Sequence, residues 1–165
     1  MFKIFVQTVL LGVVLTACSP AEKQQTASTP AEQSAAALSA DKLVLKQALQ
    51  DLKNETGKTH QQMLTVIREP DSAQKTQKVW QLIQESHQQE LAVLKKVKLQ
   101  HSQPQLSWQT LLNNTEAMAN LAGQIAQAYG KNDVATGNQL EAEYGKHNTE
   151  QSQALAELGQ LLNTP

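Results

Sequence analysis

Apolar residues recur at steps of three and four along four long stretches of this chain. No other feature constrains the fold as much, because an α-helix is the structure that gathers such positions on one face. The first stretch, about 40–68, carries Leu45, Leu49, Leu52, Thr56, Thr59, Met63 and Val66. The second, about 72–100, runs through Val79, Trp80, Ile83, Ser86, His87, Glu90, Leu94 and Val97. The third, about 104–129, has Trp108, Leu111, Thr115, Met118, Ala122, Ile125 and Tyr129. The last, about 133–162, has Leu140, Tyr144, His147, Gln151, Ala154, Leu158 and Leu161. Helix-breaking segments separate them. Pro70 stops the first, with Asp71 and Gln74 in capping-box spacing behind it. His101 to Pro104 form the second break, and Gly130 to Asp133 the third, a glycine C-cap followed by a new N-cap. Helices of about 25–30 residues joined by short turns pack as antiparallel neighbours. The expected fold is all-α, an up-down-up-down antiparallel four-helix bundle over residues 41–165, each helix about 40 Å long.

Composition narrows the function. A formal net charge of −1 argues against binding nucleic acid, whose affinity comes from neutralised phosphates. The single cysteine excludes an internal disulfide, a multi-cysteine metal cage and an iron–sulfur cluster.

That cysteine lies at position 18, behind a leader. Lys3 precedes an apolar run from Ile4 to Val14, interrupted by Gln7 and Thr8. The run is shorter than the roughly 20 residues needed to span a bilayer, so residues 1–17 read as a cleaved signal peptide. The tetrad Leu15-Thr16-Ala17-Cys18 resembles the lipobox of bacterial lipoproteins. The resemblance covers the start of the chain alone. It implies a diacylglyceryl group on the Cys18 thiol, cleavage before Cys18, and acylation of the new amine, for example by palmitate. Inner-membrane lipoproteins commonly carry Asp after the cysteine. Ser19 therefore points to the outer membrane of a Gram-negative cell, with the domain in the periplasm. Several acyl chains anchor far more firmly than one. Residues 18–40 have almost no large apolar side chain before Leu38 and read as the lipidated cysteine followed by a flexible linker.

The apolar seam is interrupted by polar residues at mid-length. Counting residues from each turn brings His87, Glu90, Met118, Tyr144 and His147 within about two helical turns of one level. Two readings follow. His87, Glu90, Met118 and His147 are candidate ligands for haem, copper or zinc. Alternatively the two histidines form a hydrogen-bonded polar layer, with Glu90 and Tyr144 as partners, that fixes helix register. Glu-x-x-His does not occur, which argues against a di-iron site, and Cys-x-x-Cys-His is missing, which excludes covalent haem.

Glycines Gly57, Gly137 and Gly145 interrupt helices and are expected where another group approaches closely. His60 reads as a boundary residue, and His101 as a cation at the end of the second helix beside Lys95, Lys96 and Lys98. Phosphate loops, nucleophile elbows and zinc-protease helices are all missing. The expected function is non-catalytic: a lipid-tethered helical bundle serving envelope structure or a periplasmic protein partner.

Overall fold

The computed structural model describes residues 30–164, so the leader, Cys18 and Ser19 lie outside the described residues. Within them the protein is all-helical, with α1 over Pro30–Ile67, α2 over Ala73–Leu94, α3 over Ser102–Gly130 and α4 over Val134–Asn163. No helix among the described residues is long and apolar enough to cross a membrane.

The helix termini show which local signals prevailed. α1 begins at Pro30, well inside the stretch expected to be a flexible linker. Proline suits the first helical position, and the alanines that follow have the highest helix propensity of any residue. The N-cap of α2 is Ser72, whose hydroxyl accepts from the Lys75 amide at 3.1 Å. The expected Asp71 cap instead holds the Lys75 ammonium at 2.8 Å. Asp133 caps α4 by accepting from the Thr136 amide at 3.1 Å. The turn before it is made by Asn132, at φ 61°, and not by Gly130. Asparagine tolerates this left-handed conformation better than most residues.

α2 stops at Leu94, several residues before the expected end near 100. The reason is tertiary. The Trp108 indole donates to the Leu94 carbonyl at 3.2 Å. Further on, the Asp41 carboxylate, at 2% exposure, accepts the amides of Gln100 and His101 at 2.9 and 2.7 Å. These partners replace the helical hydrogen bonds that the connecting segment gives up. Val97 and Leu99 still pack on the core from this connection. His101 caps the start of α3, a correction to its expected place at the end of α2.

One core cluster draws on all four helices: Leu45 and Ala48, Leu94, Trp108 and Leu111, and Ala154 and Leu158. α3 is the most enclosed element, with Trp108, Leu111, Thr115, Met118, Ala122, Ile125 and Tyr129 all buried as the apolar rhythm requires. Its long contacts are with α2 and α4; α1 lies along α2 and touches α4 sparsely. The far half of α1 is correspondingly less buried, and Ile67 is more than half exposed.

Of the three interrupting glycines, Gly137 alone meets a close neighbour. A Cβ there would lie 2.9 Å from the Tyr129 ring, whereas Gly57 and Gly145 face open space, so close approach does not account for them.

Removing the Asp41 carboxylate strands two amides that it holds. Asp41→Ala is expected to lower unfolding stability by about 2–4 kcal/mol, with Asp41→Asn in between. Urea denaturation, with hydrogen exchange at Gln100 and His101, measures both effects.

Candidate functional site

The Trp80 and His87 side chains of α2 reach Glu141 and Tyr144 of α4, which stand one turn apart, and Glu90 sits one turn along α2 from His87. His87 is buried, and both of its ring nitrogens are engaged. Nδ1 lies 3.0 Å from Glu90 Oε2, and Nε2 lies 2.7 Å from the Tyr144 hydroxyl. An ionised carboxylate only accepts, so Nδ1 carries the proton facing Glu90. In the neutral ring, Nε2 then accepts from the Tyr144 O–H. The chain of bonds thus runs phenol to imidazole to carboxylate.

A second cluster adjoins the first. The Trp80 indole packs edge-on against the Tyr144 ring, with centroids 5.0 Å apart, and donates to Glu141 Oε1 at 3.0 Å. The Tyr129 hydroxyl also donates to that oxygen at 2.9 Å, and it lies equally close to Asn138 Oδ1. Glu141 therefore joins a tryptophan of α2 to a tyrosine of α3.

His147 takes a different partner. Its Nδ1 meets Asn114 Oδ1 at 2.8 Å, and its side chain is 31% exposed. One turn along α4, the Gln151 amide donates to the Thr115 hydroxyl at 2.9 Å, and Thr115 donates to the Leu111 carbonyl at 2.8 Å. Met118 is wholly buried in the core. Of the expected ligand set, only His87 and Glu90 are bonded to each other. Among the described residues, no three His, Cys, Asp or Glu side chains gather as a metal-holding group. Every fully buried side-chain nitrogen or oxygen among them has a hydrogen-bond partner. Around His87 this is the pattern of a hydrogen-bonded polar layer. His60 is exposed on α1.

The sequence pointed to Glu90 and Tyr144 as histidine partners, and both converge on His87. It did not reveal the Trp80–Glu141–Tyr129 cluster or the Asn114 partner of His147. Asn114 sits beside Leu111 and Thr115 on the stripe of α3, and a polar residue at such a position was the available signal.

The acid–imidazole–hydroxyl order resembles that of a nucleophilic triad, but the phenol is poorly suited to attack. Burial, with the Glu90 charge adding to it, pushes the Tyr144 pKa up to about 12. Tyr129 is also raised, first by burial and then by its bond to Glu141. Both effects keep the hydroxyls protonated and donating. The arrangement fixes the position of α4 against α2 and α3.

Comparison with known protein families, curated proteins and solved structures found no match.

The chain contains two tyrosines, and burial with nearby carboxylates raises both above the ordinary phenol value. Tyrosinate absorbance is expected to rise well above pH 10 in the folded protein. The folded state holds the Tyr144 proton up to about pH 12, whereas the unfolded chain releases it near pH 10. The resulting stabilisation is complete below pH 10 and is lost as pH rises between those values. Ultraviolet titration, with denaturation midpoints measured across the same window, checks the sign.

Tyr144→Phe leaves His87 Nε2 without its donor and is expected to cost about 1–3 kcal/mol. A double-mutant cycle with His87 isolates the coupling, because His87 variants should mask most of that loss.

Proposed function

We propose that this protein is a non-catalytic lipoprotein, held in the outer membrane by acyl chains on Cys18, whose helical domain stands in the periplasm and serves envelope structure or a protein partner. One observation carries the reading: a charged and apolar leader ends in Leu15-Thr16-Ala17-Cys18, and that cysteine is the sole one in the chain. Ser19 supports release from the inner membrane. The saturated layer around His87 supports a structural use of the polar seam, since both ring nitrogens already have partners.

In this reading the helices form an up-down-up-down antiparallel bundle. The order of cross-helix contacts supports it. Asp41 meets Gln100 in the connection that follows α2, and Thr59 meets Gln89 within α2, so numbers rise along α1 as they fall from that connection back into α2. Gln84 and Gly123, then Gln77 and Gly130, give the same opposed order for α2 and α3. Ser107 and Glu157, then Tyr129 and Asn138, give it for α3 and α4. Trp80 with Glu141 and His87 with Tyr144 run in the same direction, as alternate helices of such a bundle do.

Metabolic labelling with a palmitate analogue tests the anchor. The wild-type protein is expected to take up label and to begin at Cys18 by mass spectrometry. Cys18→Ser should take up none, and Ser19→Asp should move the labelled protein to the inner-membrane fraction. An unlabelled wild-type chain with a free thiol overturns the reading.

A further inference from the structure

Where α1 and α4 fail to close on each other, a cleft of about 250 Å³ reaches the middle of the protein. Leucines from all four helices line it, together with Thr56, Glu90, Thr115 and Gln151. The volume is that of about eight waters in the liquid, somewhat below the usual range for drug-sized ligands. An occupant must therefore be small, and its body must be apolar to suit the leucine walls.

The polar lining specifies the rest of the occupant. Thr56 donates its hydroxyl proton to the Leu52 carbonyl at 3.0 Å, and Thr115 donates to Leu111 at 2.8 Å. Both hydroxyls are left able only to accept, and that of Thr115 already accepts from the Gln151 amide at 2.9 Å. Glu90, with 15% of its side chain exposed, gives Oε2 to His87. A carboxylate has about four lone-pair sites, so it retains acceptor capacity. With Thr115 and Gln151 bonded to each other, the Thr56 hydroxyl and the Glu90 carboxylate remain as acceptors against an apolar wall, and they call for a ligand with donors and a positive charge. Lys53, exposed and also lining the cleft, is the opposing charge. Its ammonium is solvated and weakens a bound cation without filling the interior.

We infer that the cleft between α1 and α4 binds a small apolar primary amine, with its hydrocarbon against the leucines and its ammonium on Glu90. The site is independent of the acyl anchor and assigns a second capacity to the domain.

Hexylamine, hexanol and hexanoate, titrated into the purified full chain, share a hydrocarbon and differ in head group. Leucine methyl resonances report occupancy. Hexylamine is expected to give saturable shifts at Leu49 and Leu155, hexanol weaker ones and hexanoate the weakest. Glu90→Gln preserves an acceptor for His87 and should weaken hexylamine about tenfold or more while leaving hexanol little changed. Lys53→Ala should tighten hexylamine. Leu155→Trp, at a partly exposed position, should obstruct all three probes while circular dichroism stays unchanged. The inference is overturned if no probe saturates, if hexanoate binds at least as tightly as hexylamine, or if Glu90→Gln leaves the amine affinity intact.

Discussion

The burial of α3 is the constraint on which the other elements depend. From Trp108 to Tyr129 this helix shows little of itself to water, and small residues such as Ala119, Ala122 and Ala126 let its neighbours come close. Close packing of that kind gives each neighbour one well-fitting position. Gly123 and Gly130 extend the principle: the Gln84 and Gln77 side chains of α2 lie where a Cβ would stand. With α2 and α4 settled on α3, their large side chains meet across it, and α1 covers what is left of α2.

A helix enclosed in this way leaves polar side chains among apolar ones, and each such group needs a partner. The middle of the protein meets that need by pairing. Tyr144 donates to His87, His87 donates to Glu90, Tyr129 and Trp80 share Glu141, and His147 meets Asn114. Hydrogen bonds of this type contribute modestly to stability, but leaving any one unmade is costly. They discriminate strongly against shifted helices, because a one-turn slide would strand several buried groups at once. Register is the property such layers confer. The raised tyrosines belong to the same account, since a protonated phenol is the donor these bonds require.

The sparse seam between α1 and α4 has the opposite character. Pairing is complete around His87, whereas the cleft retains acceptors and leucine surface together. One molecule thus has a polar layer that is satisfied internally and, a turn or so away, a cleft with unused binding capacity. Glu90 belongs to both, with one oxygen held by His87 and its charge facing the leucines.

Helix number, approximate span and buried stripe were legible in the residues alone, because amphipathic periodicity and chain breakers act over a few neighbours. The seven residues expected to form the stripe of α3, from Trp108 to Tyr129, are all buried, though Asn114 and Leu121 join them unforeseen, and His87 was rightly joined to Glu90 and Tyr144. Helix ends and bond partners were less legible. α2 stops at Leu94 because Trp108 and Asp41 supply distant hydrogen-bond partners, the latter 59 residues from Gln100 in the chain. His147 chose Asn114 over His87 for the same kind of reason. The expectation of a lipid anchor likewise rests on sequence alone, on the tetrad Leu15-Thr16-Ala17-Cys18. Only the tertiary structure decided which polar groups meet and where the helices part, because those outcomes depend on surfaces contributed by remote segments.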